Sequence, residues 1–400
     1  MSRLGRGRRR AAAVRSVTAT TMPVVTPAAA VRSVTVTAMP GATRAAAVRS
    51  VTVTAMPGAT RAAAAGPAAR GRRRGPLRGL AATAVATVLA LTAGGCVTVH
   101  GELAVVPSAS RAEAARALKD FTESYNASNA AYDPALNAGR VTGALGAINQ
   151  AGLKARSVTQ PGGNPRHKPL ILSDAAFTIP KKAGWPRWFL ADATADQGSG
   201  PSTTSRWAVV FVRNGPQQLW EAAYLQVLAR DELPKFRTDA DGWAVPVAAD
   251  AAEPAVAPRE LSREYVSYLR TGRPEHFAAG PETSAWREKR RTTASRPGLS
   301  TQYVDQPLDS GDFAPLGLAT EDGGALVFFA TRYFDRQTAA AGFRPRTNAE
   351  VRALTTGQVK STLTKEWVSS QVARVAPAGA RQNQVTVLNR IQGVVAAKGS

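Results

Sequence analysis

Cysteine is almost absent from this chain of 400 residues, which contains one, Cys96. A single cysteine excludes an intramolecular disulfide and any zinc site built from several thiolates. Histidine is scarce too, since His100, His167 and His276 are all there are, and none has another metal ligand at helical spacing. The Gly-x-Ser-x-Gly, P-loop and Rossmann motifs are also missing. The sequence therefore predicts no metal and no cofactor, and it assigns no catalytic residue.

Acidic side chains are missing from the first 95 residues, which carry 15 of the 51 Lys and Arg and none of the 28 Asp and Glu. The remaining residues hold 36 basic and 28 acidic side chains, a net charge of +8, so the pI of 11.2 mostly reflects the leader. A nucleic-acid-binding protein needs basic residues clustered on a folded face. Because the only dense basic run after residue 95 is Arg287 to Arg291, we predict no nucleic-acid partner.

The leader contains an internal repeat. Ala-Ala-Ala-Val-Arg-Ser-Val-Thr begins at Ala11, Ala28 and Ala45, a period of 17 residues. These copies consist of small residues, Thr and Arg with Pro interruptions, and they cannot bury enough apolar surface to fold. We expect residues 1–69 to be disordered, and we expect translation to start later, at Met56.

The next segment, residues 70–95, has the layout of an export signal. Arginines from Arg70 to Arg78 precede an uncharged apolar run from Leu80 to Leu91, and Ala93-Gly94-Gly95 supplies small residues before Cys96. This ending resembles the lipobox of bacterial lipoproteins, in which the cysteine receives a diacylglyceryl group and becomes the first mature residue. Ala93 departs from the commonest pattern, which has Leu there. Pro76 leaves open whether export is general or twin-arginine.

A membrane-spanning helix from Leu80 to about Val99 is the alternative to a signal peptide. Two central glycines and several threonines make it a poor span, and the apolar run is short for one. We therefore expect a protein lipid-anchored through Cys96 on the extracytoplasmic face of the cell membrane, because a diacylglyceryl group supplies the two chains that durable anchoring needs.

After a tether at 96–108, the pattern predicts a first α+β domain over 109–244. The capping box Ser110-Arg-Ala-Glu113 begins a helix from about Ala112 to Tyr132, and a second helix covers Arg140 to about Leu153. Four β-rich runs follow: Ile171 to Ile179, Trp188 to Ala193, Arg206 to Val212 and Leu219 to Leu228.

Residues 245–258 alternate Ala and Pro and are predicted to be a linker. A second α+β domain over 259–400 is expected to repeat the order of helices and then strands. The predicted helices are Leu261 to Leu269, Glu282 to Thr293 and Asn348 to about Leu363, and the predicted strands are Leu299 to Val304, Pro315 to Thr320, Ala325 to Phe334 and Gln384 to Ala396.

This element order resembles the nuclear-transport-factor-2-like superfamily, which implies helices packed on a curved, cone-like antiparallel sheet. From Gly95 to Val394 the chain also resembles streptomycete lipoproteins of unknown function. That likeness is carried by Gly143-Ala-Leu-Gly-Ala-Ile-Asn-Gln150, Ile179-Pro-Lys-Lys-Ala-Gly-Trp-Pro-Arg-Trp-Phe189 and Leu363-Thr-Lys-Glu-Trp-Val368. The resemblance brings no activity with it.

Aromatic residues concentrate on the strands of the first domain. Packing in the sheet core is one interpretation, because buried aromatics dominate core energetics. The other is a pocket for an apolar or cationic ligand, lined by Trp188, Trp207 and Tyr224.

The function predicted from sequence is a ligand-binding or protein-interaction module at the cell envelope. Its partners would be the membrane, through Cys96, and anionic envelope polymers or another envelope protein, because the mature charge is positive. Two alternatives stay open: a hydrolase or isomerase that uses a pocket acid in one of the domains, and a purely structural envelope protein.

Overall fold

The structure is a computed structural model that describes residues 104–198, 200–202 and 205–400. The predicted leader, signal peptide and Cys96 lie outside the described residues. The described part is an α+β protein with antiparallel sheets, which confirms the predicted fold class. In chain order the first half contains β1 (Val106–Pro107), α1 (Arg111–Ala131), α2 (Gly143–Thr159), β2 (Ile171–Thr178), β3 (Lys181–Lys182), β4 (Arg187–Asp196), β5 (Ser205–Arg213) and β6 (Glu221–Ala229).

The second half contains α3 and α4 followed by the longest strands of the described chain. Its elements are β7 (Pro246–Val247), α3 (Pro258–Thr271), α4 (Ser284–Thr293), β8 (Ser295–Arg296), β9 (Leu299–Leu308), β10 (Leu316–Ala319), β11 (Ala325–Ala339), α5 (Ala349–Ala353), β12 (Thr355–Thr356), β13 (Thr362–Val375) and β14 (Val385–Gly399). Short 3-10 turns occur at Pro134–Leu136, Arg230–Glu232 and Gly311–Phe313.

The predicted capping box begins α1. Ser110 Oγ accepts a hydrogen bond from the Glu113 N–H at 3.1 Å, and Glu113 Oε2 accepts one from the Ser110 N–H at 2.8 Å. This reciprocal pair satisfies two backbone donors that the first helical turn otherwise leaves without partners. The helix then buries one stripe that includes Leu118 and Phe121, and Phe121 meets Phe211 of β5 edge to face at 5.8 Å.

Two sheets form the framework. The first, β2-β4-β5-β6, is antiparallel throughout. The second follows the order β12-β14-β13-β11-β10-β7, with β9 on the same edge of β11 as β10 and β8 paired to β9. Only the short pairing of β12 with β14 is parallel in this sheet. A two-residue ladder of β1 with β3 joins the end of the predicted tether to the first half.

Strand β11 lies between two hydrophobic cores. Its sequence Ala325-Leu-Val-Phe-Phe-Ala330 is buried throughout, and successive side chains of a strand point to opposite faces. Leu326, Phe328 and Ala330 belong to the large core with the first sheet, α1 and α2, whereas Ala325, Val327 and Phe329 pack with α3. The large core therefore contains side chains from both predicted domains, and Ala109, next to the tether, belongs to it as well.

Two sequence predictions in the second half need correction. The helix predicted from Asn348 to about Leu363 ends at Ala353, because Thr355-Thr356 form β12 and Gly357 adopts a left-handed backbone with φ of 72°. β-branched residues lower helix propensity, and a left-handed glycine ends a helix. Strand β13, which pairs with both β11 and β14, was not predicted. Ser369, Ser370 and Gln371 at its buried centre hide the apolar pattern of a core strand.

The segment 245–258, predicted to be a linker, contributes β7, which pairs with β10. The division into separate domains at 109–244 and 259–400 stays a prediction.

The Tyr224 side chain of β6 forms hydrogen bonds between the two halves, and removing its hydroxyl measures how much these bonds stabilise the fold. Tyr224 is fully buried, and its hydroxyl donates to the backbone oxygens of Phe313 at 2.8 Å and Ala314 at 3.0 Å. We expect Tyr224→Phe to lower the free energy of unfolding by about 1 kcal/mol, because two backbone acceptors lose their donor. Urea denaturation measures this. The matched control is Tyr268→Phe, since the Tyr268 ring is buried but its hydroxyl has no hydrogen bond among the described residues. Equal losses in both variants would contradict the role of the Tyr224 hydroxyl.

Candidate functional site

The structure does not bring the three predicted pocket residues together. Trp188 pairs with Val212 and Tyr224 with Val210, so both lie on the face of the first sheet that carries the even-numbered residues of β5. Trp207 is an odd-numbered residue of the same strand and lies on the opposite face. Trp188 and Tyr224 are buried, as expected for core residues.

Trp207 lines a cavity of about 150 Å³ between the helices and the first sheet. Its walls are mainly apolar and include Leu145 and Ile148 of α2 and Leu225 of β6. Tyr125 of α1 meets the Trp207 ring edge to face at 6.3 Å. Of the predicted pocket residues, Trp207 alone lines this cavity.

A larger cleft, of about 460 Å³, lies in the second half, and sequence reasoning did not identify it. We call it the aromatic cleft and define it by the side chains that line it on α4, on the residues just before α4, and on β8, β9, β11, β13 and β14. They are Glu282, Trp286, Lys289, Arg296, Tyr303, Tyr333, Asp335, Trp367, Arg390 and Gln392.

Strand register assembles the aromatic cleft. Tyr333 of β11 stands directly opposite Trp367 of β13, and their rings stack at 5.5 Å with an interplanar angle of 6°. Asp335 stands opposite Tyr303 of β9. Tyr333 and Asp335 have the same parity along β11 as Phe329, so the cleft lies on the face covered by α3 and α4, away from the large core.

A buried ion pair forms the floor of the cleft. Arg390 Nε donates to Glu282 Oε2 at 3.0 Å, and the two side chains are 3% and 5% exposed. The Arg390 guanidinium also lies 3.8 Å from the centre of the Trp286 ring. Gln392 Oε1 accepts from Arg390 Nη1 at 2.8 Å and from the Tyr333 hydroxyl at 3.0 Å.

The floor keeps unused hydrogen-bonding capacity. Arg390 Nη2, Gln392 Nε2 and Glu282 Oε1 make no hydrogen bond to another described residue, and none is among the fully enclosed polar atoms. The side chains of all three residues line the cleft. Two donors and one acceptor are thus held in place by side chains that are themselves almost wholly buried.

A second buried arginine, Arg290, packs against three of the aromatic rings of the cleft. Arg290 of α4 donates from Nη1 to both oxygens of Asp305 at 2.8 Å, and each side chain is 7% exposed. The Arg290 guanidinium lies 4.6 Å from the Tyr333 ring centre, 4.8 Å from that of Tyr303 and 5.0 Å from that of Trp286. This set of cation–π contacts holds the rings of three elements in one arrangement.

Asp335 is the buried acid of the cleft. Its Oδ2 accepts from Lys365 Nζ at 2.9 Å and from Trp367 Nε1 at 2.8 Å, while Oδ1 is buried without a hydrogen-bond partner. Burial raises the pKa of the Asp335 carboxyl above its usual range, although Lys365 and Trp367 oppose the shift.

The sequence contained signals for this cleft. Trp286 directly precedes the basic run from Arg287 to Arg291, and Trp367 lies in one of the stretches that carry the family likeness. The link between them could not be predicted, because it depends on strand β13 and on its register with β11.

No helix in residues 104–198, 200–202 and 205–400 is both long and apolar enough to cross a membrane. Within the same described ranges, no group of three or more His, Cys, Asp or Glu side chains could hold a metal ion.

Residues 105–399 match the model of a family described as a domain of unknown function, DUF8094. The chain belongs to this family. An uncharacterized lipoprotein of Streptomyces coelicolor is 54% identical over 318 residues, which cover 79% of this chain and 94% of that protein. Another, from Streptomyces avermitilis, is 48% identical over 319 residues, which cover 80% of this chain and 94% of that protein. The predicted resemblance to streptomycete lipoproteins is confirmed.

A more distant uncharacterized lipoprotein of Streptomyces coelicolor is 25% identical over 218 residues, which cover 51% of this chain and 58% of that protein. No solved structure matches the chain. The likeness to the nuclear-transport-factor-2-like architecture therefore stays a prediction.

The raised pKa of Asp335 predicts a pH dependence of stability. The folded state binds a proton at Asp335 more tightly than the unfolded chain does, so this contribution is complete below pH 3.8 and is lost as the pH rises through the raised value. We expect the stability of the wild type minus that of Asp335→Asn to fall as the pH rises above about 4. Urea denaturation at stepped pH measures it.

Asp322 provides a control of opposite sign. Hydrogen bonds from Thr320 and Arg374 lower its pKa to about 2. The stability of the wild type minus that of Asp322→Asn should therefore fall as the pH decreases from about 4 to 2. A difference for Asp335→Asn that is flat or rises with pH would contradict the buried-acid assignment.

Proposed function

We propose that this protein is a lipid-anchored binding module on the extracytoplasmic face of the cell membrane, and that the aromatic cleft holds its ligand. The observation that carries the binding role is the floor of the cleft, where buried Arg390, Gln392 and Glu282 each keep an unused polar atom. A concave site with aromatic walls and a few fixed polar groups is typical of small-molecule binding.

The anchor is proposed to be a diacylglyceryl group on Cys96. The alignment with the Streptomyces coelicolor lipoprotein covers 79% of the 400 residues, about 316, whereas only 305 residues lie from position 96 onward. The aligned stretch therefore begins before Cys96. Together with the apolar run from Leu80 to Leu91 and the small residues Ala93 to Gly95, this supports a lipoprotein signal.

Location is tested by labelling cells with a fatty-acid analogue and separating membranes from soluble protein. The wild type should carry the label and sediment with membranes, whereas Cys96→Ser should lose the label and leave the membrane fraction, because a protein without acyl chains has no comparable hold on the bilayer. Ser108→Ala, a serine to alanine change at the end of the predicted tether, serves as a control that keeps the cysteine. A variant Cys96→Ser that stays in the membrane would mean that Leu80 to Val99 is a span.

An envelope hydrolase or isomerase is the second candidate. The observation that favours it is Asp335, a buried carboxyl with a raised pKa that lines the cleft, because such groups serve as general acids. The two functions differ in what Asp335→Asn does. A binding module does not convert its ligand chemically, with or without this substitution. An enzyme converts the ligand, and the Asp335→Asn variant loses that activity.

A further inference from the structure

The polar floor of the aromatic cleft restricts the chemistry of what can bind there. Arg390 Nη2 and Gln392 Nε2 are donors, and Glu282 Oε1 beside them is an acceptor. A carboxylate or phosphate offers acceptors only and would face the negative charge of Glu282. Hydroxyl groups both donate and accept, so a molecule with neighbouring hydroxyls satisfies all three atoms of the floor.

The aromatic walls of the cleft favour a compact ligand with apolar surface. Trp286, Tyr303 and Trp367 line the cleft and are half-buried. The volume of about 460 Å³ is within the range of small-molecule sites. A sugar ring combines both features, because its edge carries hydroxyls and its carbon–hydrogen face can pack on an aromatic ring.

The rim adds a positive charge. Lys289 and Arg296 line the cleft, are exposed, and have no carboxylate partner among the described residues. Deeper charges are balanced, since Arg390 is paired with Glu282 and Lys365 with Asp335. The two rim cations are therefore available to a negative group on a ligand whose hydroxyls reach the floor.

We propose that the aromatic cleft binds an acidic saccharide, a sugar carrying a carboxylate or phosphate group, with its hydroxyls on Glu282, Arg390 and Gln392 and its negative group at Lys289 and Arg296. This inference rests on the proposed binding function and names its ligand class. A free acidic sugar and a unit of an anionic envelope polymer share this chemistry.

The test uses the full chain carrying Cys96→Ser, with tryptophan fluorescence as the readout at low salt. Glucuronate and glucose 6-phosphate are the acidic probes, glucose is the neutral probe, and inorganic phosphate carries charge without a ring. We expect both acidic sugars to bind about tenfold more tightly than glucose or phosphate, and added salt to remove the advantage over glucose, because it comes from exposed charges.

The double variant Lys289→Ala/Arg296→Ala removes the rim charges without touching the buried floor. We expect it to weaken the acidic sugars about three- to tenfold and to leave glucose unchanged. The matched control is Lys398→Ala/Arg381→Ala, which removes the same charge from exposed residues outside the cleft. The control should bind like the parent chain.

Two results would overturn the inference while leaving the proposed binding function intact. Equal affinity for glucuronate and glucose, or no effect of the rim variant, would leave a binding cleft that does not select acidic sugars. If none of the four probes binds, the parent chain and the variant Trp286→Phe are each sedimented with purified cell-wall material, and the amounts bound are compared. Equal sedimentation of the two would then reject the cleft as the binding site as well.

A polymer source is distinguished from a free sugar in the same assay. Pre-incubation with glucuronate should release the protein from cell-wall material if the acidic units of a polymer occupy the cleft. Tight glucuronate binding without sedimentation on the wall material identifies a free acidic sugar as the ligand.

Discussion

The architecture depends on the burial of strand β11 on both of its faces. Leu326 and Phe328 pack into the core shared with the first sheet, while Val327 and Phe329 pack under α3. Full burial of one such side chain contributes about 2 kcal/mol, and along this strand the gain accrues on both faces at once. The same strand continues to Tyr333 and Asp335, so its placement between the cores also determines where the aromatic cleft lies.

Polar contacts then determine the relative position of the two sheets and the arrangement of the cleft. Gln226 of β6 donates to Ser370 of β13 at 2.6 Å inside the large core, which joins the two sheets at one relative position. In the cleft, buried Arg290 and Arg390 are paired with Asp305 and Glu282 and lie against the faces of aromatic rings. Buried charges persist only with such partners, so the arrangement of rings and guanidinium groups is a single cooperative unit.

Elements defined by neighbouring residues could be predicted from the sequence, whereas pairing between distant strands could not. The capping box at Ser110 and the apolar run from Ala325 predicted α1 and β11 because both depend on neighbouring residues. Strand β13 was missed because its buried centre is Ser369-Ser370-Gln371, which is satisfied only once the neighbouring strands are present. The pocket predicted from Trp188, Trp207 and Tyr224 assumed one face, whereas the register of β4, β5 and β6 divides these residues between two.

The point at which the chain enters the fold has a steric consequence. Ala109 lies in the large core on one side of β11, and the β1 and β3 ladder ties the adjoining residues to the first half. The aromatic cleft opens on the other side of that strand. With the proposed anchor on Cys96, the point at which the chain enters the fold and the opening of the cleft would thus lie on opposite faces of the second sheet.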